Sequence, residues 1–279
     1  MAMTDQSVSR ILRKHYALPA EHGSWIWWIG PFLIGAAAGG RLDGNLLILF
    51  IAALAAFLSR QPTTMVVKVL SNRRPQSDLL PAIFWMLLYA SLVLITIAML
   101  ALRGFVELLL IAIPAIPVFA LHLWMVSQRS ERGQMGIELL GSGVLALAAP
   151  AAYWVSGGFN SSEAWIIWGL TWLQSAASIV LIYLRLHQRK LPVPPAWVER
   201  WRAGSRALLY HIFNLALSIV LVSFHLVPLG IPLAFFLMLL DVLEGILHPP
   251  IGAKPTAIGL RQLGSSTLFI IIVAFAYLS

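Results

Sequence analysis

The chain has 279 residues, of which 59% are hydrophobic and 11% charged, with a net charge of +8 and no cysteine. Soluble domains carry about 25% charged residues, so this much apolar side chain exceeds one soluble core and points to an integral membrane protein. The missing cysteine removes disulfides, thiolate ligands and cysteine nucleophiles.

Residues 1–20, with Arg10, Arg13 and Lys14, read as a cytoplasmic basic interfacial segment. Apolar stretches follow near 24–39, 45–62, 80–101, 105–125, 136–157, 163–184, 207–224, 227–246 and 263–278. Each approaches the roughly 20 residues that a helix needs to cross a hydrocarbon core. Backbone groups in lipid must pair internally, and no period-two alternation marks a barrel, so these stretches are helices. The expected fold is an all-α polytopic bundle of about nine spans, one transmembrane domain over 1–279. Two connections, 62–79 and 185–206, read as cytoplasmic basic loops interrupted by proline. Within the second, 196–206 is an amphipathic interfacial segment with Trp197 and Trp201 one turn apart.

The charges follow an alternation. With a cytoplasmic N-terminus, seventeen Lys and Arg residues fall inside and only Arg41 and Arg103 outside, a strong positive-inside signal. The basic balance therefore reads as topology and contact with anionic membrane lipids, not nucleic acid. The expected location is a bacterial plasma (inner) membrane, multi-pass, N-terminus cytoplasmic and C-terminus outside. The opening run "LPAEHGSWIWWIGPFLIGAAAGG" also resembles a secretory signal ending in Ala36-Ala37-Ala38. Pro31, three tryptophans and the Glu21–His22 pair favour a retained first span instead.

Ionisable groups inside spans are costly and mark candidate sites. Glu21 and His22 stand at the cytoplasmic mouth of the first span; Arg60, Gln61 and Lys68 end the second; Glu138 starts the fifth; Gln174, Arg185 and Arg189 descend the sixth; Asp241 and Glu244 end the eighth. Nearly all lie in the cytoplasmic half, as a cavity open to that side would require. Gln174, Ser178 and Arg185 share one helical stripe, as do Gln61, Thr64 and Lys68. Asp241, Glu244 and His248 share a face with metal-ligand chemistry, but on one helix they read as an interface. No metal or other cofactor is expected, and no nucleotide loop, zinc or triad motif stands out.

Several motifs carry a resemblance. "LPAEHGSWIWWIGPFLIG", "LSRQPTTMVVK", "SQRSERGQMGIELLGSGVLALAAPAAYW", "LIYLRLHQRK" and "KPTAIGLRQL" resemble the YwiC-like bacterial membrane proteins. The nine-span layout, with large inner loops after spans two and six, is more distantly similar to the UbiA prenyltransferase architecture. That resemblance implies Asp-rich motifs holding Mg²⁺ and a prenyl diphosphate. Here those places read "SRQPTTMVVKVLSNRR" and "SIVLIYLRLHQRK", where Arg and Lys stand instead of carboxylates. Mg²⁺ wants hard oxygen ligands, so metal-dependent transfer is not expected. Guanidinium groups can instead hold phosphate directly. Three functions follow: binding of a lipid or isoprenoid phosphate with or without metal-independent transfer, secondary transport, or a structural role in a membrane complex.

Overall fold

The structure is a computed structural model that describes residues 11, 13–19, 23–130, 133–158 and 162–279. Its elements are helices α1 (Lys14–Ala17), α2 (Ile26–Gly39), α3 (Gly44–Leu70), α4 (Leu79–Leu102), α5 (Ala112–Ser127), α6 (Met135–Ala146), α7 (Ala148–Val155), α8 (Ser162–Gln188), α9 (Trp197–Ser223), α10 (Ile231–Leu247) and α11 (Pro255–Leu278). Among the described residues all nine expected spans contain helix. Seven segments among the described residues are long and apolar enough to cross a membrane, and the chain is an all-α polytopic membrane protein. The helices at the first and eighth expected spans are shorter, with 14 residues in α2 and 17 in α10. The chain divides into two compact units, Leu42–Ile137 with the described part of Met1–His22, and Gly23–Arg41 with Glu138–Ser279.

In the first unit α3 packs along α4, and α1 and α5 pack on α3. Asp43 starts α3 by accepting from the N–H groups of Asn45 and Leu46. The helix then passes Pro62 and ends only at Leu70, so much of the expected loop 62–79 is helical. Pro62 offers no N–H to the turn before it. Thr63 donates to the Ser59 carbonyl at 2.7 Å in that same turn, the kind of local hydroxyl bond that lets membrane helices carry proline. Beyond it, Met65 packs with Tyr16 and Ala82 in a buried cluster against Val66 and Trp85. Tertiary burial thus overrides the proline.

In the second unit α8 is the hub, touching α2, α7, α9, α10 and α11. Gly35 and Gly39 bring α2 against α7. A Cβ on Gly35 would stand 2.0 Å from the Ala149 carbonyl oxygen, and one on Gly39 2.0 Å from Ser156 Oγ. Small residues one turn apart allow this backbone-to-backbone approach. The expected fifth span is broken between α6 and α7. Pro150 lacks a donor, and the Leu147 N–H turns to Val144. Two α8 indoles serve α6 carbonyls, Trp168 donating to Gly143 and Trp172 to Leu139, both at 2.9 Å. The expected interfacial segment 196–206 and seventh span form one helix, α9. Glu199 accepts from the Ala196 N–H at its start, and Gly204 fits closely against Ile246.

Candidate functional site

Each unit carries a basic end. In the first, several polar and basic side chains are tied to the protein. Gln61 donates to the His15 carbonyl at 3.0 Å, Arg60 lies 5.8 Å over the Phe57 ring and Arg73 donates to the Val126 carbonyl. Lys68 is half-buried in the last turn of α3. Asp78 is buried and accepts from the Tyr16 hydroxyl at 2.7 Å and from Arg74 at 3.1 Å. Trp85 and Tyr89 donate to the Ile11 and Ala17 carbonyls. These bonds dock the N-terminal segment on α3 and α4. Asp78 was not among the expected site residues; its place just before an apolar helix reads in the sequence as a cap.

In the second unit the centre is Arg185 on α8, 1% exposed. Its guanidinium donates to the Asp241 carboxylate at 2.8 Å, to the Asp241 carbonyl at 3.1 Å and to Gln262 at 3.4 Å. Gly245 lies beside the guanidinium, where a Cβ would stand in ordinary contact at 3.4 Å. Asp241 also accepts from Arg261 at 2.7 Å and from Ser265 at 3.1 Å. Arg261 reaches Glu244 as well, and His248 stands 3.9 Å from the other Glu244 oxygen. Two guanidiniums and two carboxylates leave the cluster without net charge. A buried charge is tolerated only when paired and hydrogen-bonded, and here α8, α10 and α11 satisfy one another.

The structure thus joins Arg185, Asp241 and Glu244 from the expected set and adds Arg261, Gln262 and Ser265. Arg185 is committed to Asp241, which differs from the expectation of a guanidinium open to phosphate. Arg189 instead holds the loop after α10, donating to the Ala253 carbonyl at 2.8 Å. Gln174 lies higher on α8, accepting from Ser178 at 3.1 Å and reaching the Met238 sulfur at 3.7 Å. Glu138 accepts from the Tyr183 hydroxyl at 2.8 Å. Glu21 and His22 lie outside the described residues. Among the described residues, no group of three His, Asp or Glu is placed to hold a metal ion.

Around this neutral cluster lies a second, exposed layer. Lys190, Arg202, Arg206 and Lys254 are exposed, and among the described residues their side chains meet no acceptor. Trp197, 60% exposed, and Trp201 stack edge to face at 5.7 Å on the first turns of α9.

The model of the YwiC-like protein family matches residues 18–153, from the Leu-Pro-Ala-Glu-His-Gly-Ser-Trp motif to the end of α7. Over that stretch the chain is similar to the YwiC-like family. A curated relative, the uncharacterized protein YwiC of Bacillus subtilis (strain 168), is 26% identical over 161 residues. The alignment covers 57% of this chain and 61% of that relative, so the chain spans about three fifths of the relative's length. No solved structure matches the chain. The Arg185 cluster and the exposed layer on α9 lie beyond the family match.

Proposed function

We propose that the protein is a multi-pass protein of the bacterial inner membrane that binds a phosphate-bearing lipid or isoprenoid at the basic end of its second unit. The observation that carries this reading is the exposed layer on α9. Trp197 and Trp201 have the amphipathic character of residues at a membrane interface. Arg202 follows Trp201 directly and Arg206 lies one turn further on, and among the described residues neither side chain meets an acceptor. Each cation near an anionic membrane surface contributes about 1 kcal/mol, and guanidinium can grip phosphate through two bonds. The neutral cluster beneath holds α8, α10 and α11 in register and leaves these outer cations available. The function proposed is binding.

The test is native mass spectrometry of protein released from nanodiscs of defined composition. Phosphatidylglycerol or an isoprenyl phosphate remains bound to the wild type, and Arg202→Gln with Arg206→Gln releases it. Recovery of lipids only in their bulk ratio, unchanged in the variant, overturns the reading.

The proposed orientation has the N-terminus and the basic ends cytoplasmic and the C-terminus outside. The charge distribution keeps its asymmetry only if the short helices α2 and α10 both cross. Because the chain has no cysteine, single introduced cysteines report sidedness without background. Ser279→Cys reacts with impermeant reagents from outside and Ser205→Cys does not; the reverse pattern overturns the orientation.

Secondary transport is the second reading, favoured by the buried Arg185–Asp241 pair, since intramembrane ion pairs often lie on ion pathways. It requires substrate- or ion-dependent flux in proteoliposomes.

A further inference from the structure

The turn that leaves α7 towards α8 lies at the far end of α8 from Arg185, and within the second unit it brings Arg41, Tyr153 and Glu163 together. Gly157 there has φ +117°, a conformation that a residue with a Cβ rarely adopts. The Gly158 N–H donates to the Tyr153 carbonyl at 2.9 Å, and the Arg41 N–H donates to the Ser156 carbonyl at 2.8 Å. A Cβ on Gly157 would stand 3.2 Å from Arg41 Cδ, and one on Gly158 would overlap the Tyr153 ring. Arg41 and Tyr153 therefore flank neighbouring residues of one turn. Consecutive Cα atoms are about 3.8 Å apart, so the arginine stem and the phenol lie within roughly 11 Å of each other. The Tyr153 hydroxyl in turn donates to Glu163 Oε2 at 2.7 Å.

Arg41 and Glu163 carry opposite charges, yet among the described residues neither takes part in an ion pair. Arg41 is exposed and Glu163 half-buried. Tyr153 is 7% exposed, so the phenol that steadies Glu163 is itself fixed by packing. One bond from Tyr153 leaves the carboxylate with several acceptor sites. The buried Tyr277 hydroxyl meets no partner among the described residues and lies close enough to feel the charge on Glu163. Trp165, exposed and edge to face with Trp154 at 5.7 Å, sets an indole at the same end of the unit, the kind of ring that lies at headgroup level.

We propose that this turn binds one zwitterionic lipid headgroup with a primary ammonium, of the phosphatidylethanolamine class. Arg41 holds the phosphate, to which a guanidinium can give two parallel bonds. Glu163, steadied by Tyr153, takes the ammonium. A primary ammonium has three N–H donors, and a hydrogen bond between charged groups is stronger than a neutral one. A quaternary ammonium has no N–H, so a choline headgroup loses that bond. A purely anionic headgroup meets Arg41 but leaves Glu163 facing a like charge. Two unbridged charges of opposite sign, set apart by one glycine turn, match a ligand that carries both signs. The site stands at the opposite end of the unit from the basic layer and does not depend on the reading of that layer.

The experiment is native mass spectrometry of the full chain released from nanodiscs that hold equal amounts of phosphatidylethanolamine and phosphatidylcholine with the same acyl chains. Neither lipid carries net charge, so attraction of anions to the basic end does not choose between them. The wild type retains phosphatidylethanolamine about tenfold over phosphatidylcholine. Glu163→Gln brings that ratio close to one, and Arg41→Gln lowers the retention of both lipids. Arg103→Gln, an exposed cation of the first unit, leaves the ratio unchanged. Equal retention of the two lipids by the wild type overturns the inference. A preference that survives Glu163→Gln overturns it too. The wild-type comparison holds even if a variant fails to fold.

Discussion

The two basic ends look alike in sequence and differ in what their cations do. In the first unit Arg73 and Arg74 reach a backbone carbonyl and a buried aspartate, and Arg60 covers a ring. In the second, Arg185 and Arg261 are absorbed by two carboxylates, while Lys190, Arg202 and Arg206 are exposed and meet no acceptor among the described residues. A run of Arg and Lys therefore predicts a ligand poorly by itself. The number of acceptors that the fold brings to each cation decides, and the second unit keeps an aromatic and basic surface whose donors meet no acceptor among the described residues.

The comparison can be broken at several strengths. The largest effect is expected from Asp241→Ala, which strands Arg185 in the interior; removing one partner of a buried pair costs about 3–5 kcal/mol. Thermal unfolding in detergent should show it clearly. Asp78→Ala, at the corresponding place in the first unit, leaves one buried hydroxyl and a partly exposed arginine and should cost about 1–3 kcal/mol. A larger loss from Asp78→Ala than from Asp241→Ala would reverse the contrast drawn here. Gly35→Leu forces a side chain into the Ala149 carbonyl, and overpacking of this kind costs about 1–3 kcal/mol; the same melting assay reads it. Trp168→Phe keeps the ring but removes the donor to the Gly143 carbonyl, for a loss of about 1 kcal/mol. The smallest effect on stability belongs to Arg202→Gln with Arg206→Gln, within about 0.5 kcal/mol.

Much of the fold was legible because a bilayer restricts the choices. Apolar runs of sufficient length had to be helices, and helix lies at each expected place. The boundaries failed where tertiary contacts outweighed local signals. Pro62 reads as a stop, yet burial of Met65 and Val69 carries α3 to Leu70. The change from polar to apolar near residue 207 reads as a boundary, yet no breaker interrupts α9. Gly35 and Gly39 stand one turn apart, but their partners at Ala149 and Ser156 are far along the chain, and spacing alone does not name them. The candidate site was half legible for the same reason. Arg185 and Asp241 stand out in the sequence as costly charges at span ends, whereas nothing local links Arg261 to α10.

The most direct test places the two basic ends side by side. Phosphatidylglycerol retention is measured by native mass spectrometry for the wild type, for Arg73→Gln with Arg74→Gln, and for Arg202→Gln with Arg206→Gln, each confirmed monodisperse. The account predicts that the wild type and the first-unit variant retain the lipid and that the second-unit variant loses it. Equal retention by all three, or loss confined to the first-unit variant, would contradict it.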